Sequence, residues 1–161
     1  MTAPHNTIDV VAAIIESRGK ILLAQRGANK DQAGLWEFPG GKVEMGETQP
    51  EALCRELAEE LSVRCSVADY VASSTLRLEN KTIHLHAWRV QHTEGEFIAN
   101  EHAALVWVTP QQAESYDLAP ADIPLLHAYQ QKLARLSQQD DEAYISKKAR
   151  AKRWPFYFQL P

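Results

Sequence analysis

The sequence between residues 41 and 60 decides the fold class and the chemistry of this chain. It contains a glycine-bounded segment and then an acidic one, Gly41-Lys42-Val43-Glu44-Met45-Gly46-Glu47 and Arg55-Glu56-Leu57-Ala58-Glu59-Glu60. On a helix, Glu56, Glu59 and Glu60 stand at positions i, i+3 and i+4, so their side chains share one face. Each like-charged pair at this spacing destabilises an isolated helix by roughly 0.2–0.5 kcal/mol. Carboxylates suit hard divalent cations, so the pattern predicts a Mg²⁺ platform for a phosphate substrate.

The spacing of these residues resembles the Nudix box, the signature of hydrolases that cleave nucleoside diphosphates linked to another group. The matching pattern is Gly41, five residues, Glu47, seven residues, and then Arg55-Glu56-Leu57-x-Glu59-Glu60. Because several spaced positions must match together, a chance occurrence is much rarer than for a lone glycine motif. The box normally ends with a glycine and an aliphatic residue, whereas this chain has Ser62 and Val63. Glycine best tolerates the left-handed conformation at a helix end, so Ser62 predicts local strain and leaves the carboxylates intact.

The flanking sequence is similar to the MutT-type branch of this family, which sanitises nucleotide pools. The similarity runs from about residue 8 to about residue 136 and rests on residues 10–16, 21–26, 31–48, 83–88 and 118–126. Within the branch, these segments resemble the bacterial enzymes that hydrolyse CTP. The resemblance implies an α/β Nudix fold, in which a mixed β-sheet is sandwiched between helices.

The same resemblance implies Mg²⁺-dependent hydrolysis of a nucleoside triphosphate to monophosphate and diphosphate, with Mn²⁺ as a substitute ion. It favours CTP, dCTP or modified pyrimidine nucleotides as substrates. Hydrolysis of oxidised purine triphosphates such as 8-oxo-dGTP is the alternative reaction. A nucleotide sensor without catalysis is the alternative from another class, but such domains tend to lose box carboxylates that this chain keeps.

The implied metal ligands are four carboxylates and one backbone carbonyl. They belong to Glu56, Glu59, Glu60, Glu101 and Gly40. The four glutamates also form the predicted catalytic set, in which Glu56 orients or deprotonates the attacking water. Glu101 precedes a short buried strand, and a plain surface glutamate there is almost as well supported. Arg55 and Glu47 are predicted to form a structural ion pair that orients the loop on the helix.

Three residues are predicted to contact the substrate, namely Arg26, Phe38 and Asp122. The guanidinium of Arg26 suits polyphosphate or a base carbonyl because it is forked and always charged, although a surface arginine at a strand end is the alternative. Asp122 is the candidate base reader. An ionised carboxylate accepts from cytosine N4, and a protonated one can also donate to an oxidised purine. Asp122 is equally a good N-cap for a helix beginning at Ile123.

Composition narrows the class of protein. The chain has 161 residues and 45% hydrophobic side chains, which suits one domain with a sizeable core. No apolar run approaches the roughly 20 residues of a membrane-spanning helix, and the first residues lack the form of a signal peptide. The two cysteines, Cys54 and Cys65, do not predict a structural disulfide, so a cytoplasmic location is expected. The net charge of −4 argues against general nucleic-acid binding but not against a nucleotide substrate.

The hydrophobic pattern predicts the order of elements. It indicates a hairpin at residues 9–16 and 21–25, a helix at 49–61, strands at 66–74, 82–90 and 104–108, a short helix after Thr109, and a longer helix from Ile123. The predicted Nudix domain covers residues 1–138. Residues 139–161 are predicted to form a polar linker and a basic-aromatic arm, with the linker centred on residues 137–142. The arm is expected to dock on the domain or on a second subunit, which leaves a homodimer open, and stacking on nucleic-acid bases is the less favoured alternative.

Overall fold

The computed structural model describes the backbone of residues 6–159 and the side chains of residues 6–91 and 93–150. The strands are β1 Asn6–Ser17, β2 Lys20–Gln25, β3 Trp36–Glu37, β4 Gly40–Lys42, β5 Arg64–Arg77, β6 Lys81–Glu94 and β7 Ala104–Val108. The helices are α1 Gln49–Leu61, α2 Pro110–Ala113 and α3 Ile123–Gln159, with a 3-10 turn at Pro120–Asp122. The predicted hairpin, the box helix, the strand before Thr109 and the helix from Ile123 are confirmed.

The sheet is mixed, as the sequence predicts for this fold. Its main path runs β3-β2-β1-β6-β5, while β4 pairs with β1 and β7 pairs with β2. β1 and β6 are parallel, and the other pairs are antiparallel. β1 is long enough to pair with β2 near Ser17 and with β4 at Val10–Ala12. This pairing holds the glycine-rich segment against the middle of β1.

Helix α1 is fixed by its cap and by its apolar side. The Thr48 hydroxyl accepts from the Glu51 amide at 3.2 Å, and the Glu51 carboxylate accepts from the Thr48 amide at 3.0 Å. This is a capping box, which satisfies amide donors that a helix start leaves unpaired. Leu53, Leu57 and Leu61 are fully buried in the core cluster with residues of β1 and β6. Burial of each leucine contributes about 1.5–3 kcal/mol, so the apolar side anchors the helix and leaves the glutamates on the other side.

The left-handed helix end expected after α1 is present. Ser62 has φ 59° and ψ 32°, and its amide donates to the Ala58 carbonyl at 3.2 Å. The Asn100 side-chain amide donates to the Ser62 hydroxyl at 2.9 Å. The serine therefore gains a partner that glycine would not have, which offsets part of the strain that the sequence predicts.

The predicted linker at residues 137–142 is wrong as a break in structure, because α3 continues through it to Gln159. No glycine or proline occurs between Leu125 and Trp154, and the Gln, Glu, Ala, Lys and Arg residues in and around the stretch favour a helix. The chain divides into two compact units between Ala128 and Tyr129, ten residues before the predicted domain boundary. The aromatic side chains of the predicted arm, residues 154–158, lie outside the described side chains. Among the residues that the structure describes, no helix is both long enough and apolar enough to cross a membrane.

Candidate active site

Two glycines allow β4 to lie against β1 and α1. A side chain at Gly40 would overlap the backbone carbonyl of Val11. A Cβ at Gly41 would lie 2.6 Å from both carboxylate oxygens of Glu56. Only glycine permits such close approaches. The sequence GGK therefore brings backbone polar groups next to the acidic face of α1.

Arg55 ties the loop to the helix. Its guanidinium donates two hydrogen bonds to the Glu47 carboxylate, at 2.7 and 2.9 Å, and a third to the Lys42 carbonyl at 3.0 Å. These contacts lower the pKa of Glu47 to about 2, chiefly through the hydrogen bond from Arg55. The predicted structural ion pair is confirmed. A fourth hydrogen bond, 2.9 Å from Arg55 Nη1 to Glu56 Oε1, orients one of the predicted ligands.

Glu60 is a buried carboxylate with an unsatisfied oxygen. The residue is 7% exposed, and its Oε2 has no hydrogen-bond partner among the described residues. Burial and the nearby charges of Glu56, Glu101 and Glu37 raise its pKa to about 8, although a hydrogen bond from the Gly40 backbone opposes the shift. Burial also raises the pKa of Glu56, against the opposing hydrogen bond from Arg55. An acidic face on a solvated helix would not produce these shifts.

Glu101 is brought toward α1 by its neighbour in the loop. The Asn100 backbone amide donates to the Glu60 carbonyl at 3.0 Å, and its side chain donates to the Glu59 carbonyl at 3.0 Å. Glu101 itself is exposed, and it interacts electrostatically with Glu56 and Glu60. This placement distinguishes Glu101 from an isolated surface glutamate. The anchoring role of Asn100 was missing from the sequence analysis, since asparagine in a loop has no spacing pattern.

The acidic cluster opens into a cavity of about 210 Å³. Six residues predicted for the site line this cavity, namely Arg26, Phe38, Gly40, Glu60, Glu101 and Asp122. Glu56 does not line it but contacts Gly41, which does. Glu59 is the most solvent-accessible of the three helix glutamates, with a side chain 57% exposed and an oxygen 3.6 Å from Arg55 Nη1. The structure therefore brings the distant predicted residues together and leaves Glu59 at the margin.

Asp122 lies deep in the cavity wall. It is 4% exposed, and its Oδ1 accepts from the Phe38 amide at 3.2 Å across 84 residues of sequence. Burial raises its pKa to about 8. The residue ends the 3-10 turn that precedes α3, and its side chain accepts a hydrogen bond from Phe38, which also lines the cavity. This contact favours a place in the pocket over the predicted helix-capping role.

Arg26 is held by Glu37, whose other carboxylate oxygen contacts His102, and the sequence pattern did not predict this pair. Its Nη1 donates to Glu37 Oε1 at 2.7 Å, and His102 Nε2 lies 3.0 Å from Glu37 Oε2. Burial would raise the pKa of Glu37, but the hydrogen bonds from His102 and Arg26 outweigh it and lower the value. His102 Nδ1 is buried without a described partner. The cavity is thus lined by a cationic side chain, Arg26, and by a histidine, His102, whose second ring nitrogen has no described partner.

This arrangement fits a divalent cation and a phosphate chain. Among the described residues, no three acidic, histidine or cysteine side chains are already arranged to enclose a metal ion. The unsatisfied Glu60 oxygen, the neighbouring carboxylates and the glycine-lined approach nevertheless provide hard oxygen donors that Mg²⁺ prefers. A cation there would offset the repulsion that raises the pKa of Glu60.

Comparison with protein families decides the identity of the fold. A model of the NUDIX domain matches residues 5–129 of this chain. The chain belongs to the Nudix family. The CTP pyrophosphohydrolase of Escherichia coli K12 is 60% identical over 122 residues, which cover 76% of this chain and 90% of that enzyme. The 8-oxo-dGTP diphosphatase of Haemophilus influenzae is 35% identical over 121 residues, covering 74% of this chain and 89% of that one.

Solved structures agree with this assignment. The solution structure of the E. coli ORF135 protein has a TM-score of 0.76 and 56% identity, covering 81% of this Nudix hydrolase and 94% of that chain. The MutT protein from Methanosarcina mazei Go1 has a TM-score of 0.72 at 23% identity, which shows a shared fold. The predicted Nudix resemblance and α/β fold are confirmed. Nudix hydrolases generally use divalent metal ions, which agrees with the acidic chemistry of the cavity.

Proposed function

We propose that this Nudix hydrolase is a Mg²⁺-dependent pyrophosphohydrolase that converts nucleoside triphosphates to monophosphate and diphosphate, with CTP, dCTP or modified pyrimidine nucleotides preferred. The observation that carries the proposal is the buried Glu60 carboxylate, unsatisfied at Oε2 and repelled by three other acidic side chains. The 60% identity with an enzyme named CTP pyrophosphohydrolase supports the choice of substrate.

The acidic face of α1 supplies the proposed cation ligands. Glu56, Glu59 and Glu60, with Glu101 and the Gly40 carbonyl, would hold Mg²⁺, and Mn²⁺ would substitute for it. When bound, the ion would neutralise phosphoryl oxygens and favour ionisation of the attacking water. Glu59 is exposed enough to turn toward a cation without disturbing the core.

The chain's own residues would position the reactants. Glu56 would orient or deprotonate the water, because its raised pKa makes it a better proton acceptor than an ordinary glutamate. Arg55 would keep Glu56 in place through the hydrogen bond at its Oε1. Arg26, held by Glu37 at the cavity wall, would stabilise the negative charge of the polyphosphate.

The base is proposed to lie near Phe38 and Asp122. With a pKa of about 8, Asp122 is mostly protonated at neutral pH. Its Oδ1 accepts from the Phe38 amide, so the proton belongs on Oδ2, which becomes a donor. Cytosine N3 is an acceptor, whereas uracil N3 carries a hydrogen. A donor at Asp122 therefore favours cytosine over uracil if it faces N3.

Protonated Asp122 could also bind 8-oxo-dGTP, the alternative substrate. The O6 atom of 8-oxo-guanine is also an acceptor, and a relative named 8-oxo-dGTP diphosphatase is 35% identical to this chain. The protonated state of Asp122 is thus compatible with oxidised purine triphosphates. Direct competition between CTP and 8-oxo-dGTP would decide between the two.

The test is a hydrolysis screen with Mg²⁺ over CTP, dCTP, UTP, dTTP, dGTP, 8-oxo-dGTP and ADP-ribose. We expect the highest kcat/KM for cytidine triphosphates, with CMP and diphosphate as products. Release of CDP and phosphate would contradict the proposed reaction. Nucleotide binding without turnover, at any ion concentration, would identify a sensor instead.

A further inference from the structure

The two cysteines of the chain lie in contact. Cys54 is in α1 and Cys65 is at the start of β5, and their Sγ atoms are 3.0 Å apart. Both are free thiols and both are partly buried. The chain has no third cysteine. Any disulfide within one molecule must therefore join this pair.

Two hydrogen bonds involve these thiols. The Cys65 thiol donates to Cys54 Sγ, and the Cys54 thiol lies 3.4 Å from the Cys65 carbonyl oxygen that accepts from it. Burial and the neighbouring Cys54 raise the pKa of Cys65 to about 12. The two sulfurs lie in direct hydrogen-bonding contact, so whichever thiol is oxidised first has the other beside it.

We propose that Cys54 and Cys65 form an oxidation site that reacts with a peroxide and closes to a disulfide joining α1 to β5. The sulfurs must approach by only about 1 Å to reach the bonded distance of about 2.05 Å. Disulfides formed in a reducing compartment are usually transient and redox-sensing, which suits a pair that is reduced in the resting protein. This site is separate from the nucleotide cavity, whose lining includes neither cysteine.

The reaction consumes one peroxide per disulfide. One of the two sulfurs, as a thiolate, attacks a peroxide oxygen, the O–O bond breaks, and water leaves after the distal oxygen takes up a proton, giving a sulfenic acid on that cysteine. The sulfur of the other cysteine then attacks the oxidised sulfur as its thiol proton passes to the departing hydroxyl group. The S–O bond breaks, the S–S bond forms and a second water leaves. Two thiols lose two electrons, and the peroxide gains them.

The disulfide would stabilise the helix that carries the acidic face. Cys54 immediately precedes Arg55 and Glu56, and the closed loop runs only to Cys65. Because the sulfurs move little, the glutamates keep their places. Closing a loop of this length is expected to raise Tm by about 5–10 °C for a chain of this size. Oxidation would therefore protect the fold while preserving the cavity.

The experiment treats the full-length, metal-free protein with hydrogen peroxide at low protein concentration. We expect a monomer whose mass falls by two hydrogen atoms, complete loss of free thiols, a higher Tm, and reversal of all three by dithiothreitol. The nucleotide hydrolysis rate, measured after adding Mg²⁺, should stay within about twofold. Because mass, thiol content and Tm need no substrate, a failure of the proposed substrate assignment would leave this test intact.

Two single variants test whether the two cysteines close on each other. After peroxide treatment, Cys54→Ser and Cys65→Ser should each retain a sulfenic acid that a dimedone probe labels and should show no rise in Tm, because neither variant has a second thiol to displace the hydroxyl group. A rise in Tm after oxidation of either variant would contradict the proposed disulfide. In the wild type, stable addition of oxygen without loss of two hydrogens, or unreacted thiols in the folded protein, would overturn the site itself.

Discussion

Replacing Glu60 with glutamine tests two effects of this carboxylate: its burial destabilises the metal-free fold, and its charge helps to bind the cation. In the folded protein its pKa is about 8, against 4.5 for an unperturbed glutamate. The unfolded chain therefore releases this proton at lower pH than the folded one. Since the folded state binds more protons across that interval, its free energy of unfolding decreases as pH rises. The decrease begins near the unfolded pKa and levels off above the folded pKa.

The size of the effect follows from the shift. Each pH unit inside the interval costs about 1.4 kcal/mol, so the Glu60 contribution between about pH 6 and pH 9 is about 2–3 kcal/mol of lost stability. A domain of this size loses about 2–4 °C of Tm per kcal/mol. Metal-free wild type should therefore lose about 5–10 °C more than Glu60→Gln over that pH range.

The assay is thermal unfolding in chelator at several pH values, followed by titration with Mg²⁺. Asp122 has a raised pKa in the same range, so the informative quantity is the difference between wild type and Glu60→Gln at each pH. Glu59→Gln is the matched control, because its side chain is 57% exposed and lies on the same helix. Mg²⁺ should raise the Tm of the wild type most at high pH and that of Glu60→Gln little. Hydrolysis by Glu60→Gln should fall by orders of magnitude in kcat with a smaller change in KM.

A Tm difference between wild type and Glu60→Gln that does not change with pH would refute the buried, raised-pKa carboxylate. Activity of Glu60→Gln within a few-fold of wild type would refute its assignment as a ligand, whatever the stability data show.

Three further predictions concern the substrate and the loop. Asp122→Ala should lower the CTP to UTP ratio of kcat/KM by about tenfold or more, whereas Asp122→Asn keeps a hydrogen-bond donor and should preserve the ratio. Above about pH 8 the wild-type preference for CTP should also decline, because Asp122 loses its proton. An unchanged ratio in Asp122→Ala, with only a lower Tm, would show that the base is read elsewhere. With CTP in ¹⁸O-labelled water, the label should appear in diphosphate, and label in CMP would indicate attack at the other phosphorus. Asn100→Ala, which frees the loop from Ser62, should lower kcat by about tenfold if Glu101 takes part in catalysis, while a lower Tm with normal kcat would make Asn100 purely structural.

The parts of the fold that the sequence predicted are those set by local chemistry. The helix at residues 49–61 and the strand at Ala104–Val108 were predicted because cap residues and apolar patterns act between near neighbours along the chain. The polar stretch at 137–142 was wrongly predicted to be a linker because its composition suits both a linker and a helix. Because no glycine or proline occurs between Leu125 and Trp154, the helix propensity of this segment carries α3 through the polar stretch.

The parts of the site that escaped prediction depend on distant pairs. Glu37 meets His102 across 65 residues, and Asp122 meets Phe38 across 84. No spacing rule connects such residues, since the fold alone makes them neighbours. The protonation states of Glu37 and Asp122 could not be predicted either, because the pKa of a carboxyl group depends on its burial, which a sequence does not specify. Asp122 therefore has to be treated as a donor at neutral pH, which is opposite to the ionised state from which its cytosine contact was first argued.

Burial connects the stability of this enzyme to its proposed chemistry. The core leucines of α1 hold Glu60 where its oxygen lacks a partner, so the metal-free fold carries a penalty that an exposed helix would avoid. A cation bound at this position would relieve that repulsion, which makes its binding more favourable. The effect on binding increases as pH rises through the pKa of Glu60 in the folded protein. Moving Glu60 into solvent would stabilise the metal-free protein and weaken ion binding together. A purely structural glutamate would affect stability alone, so a gain in metal-free stability together with a loss of ion binding would identify Glu60 as a ligand.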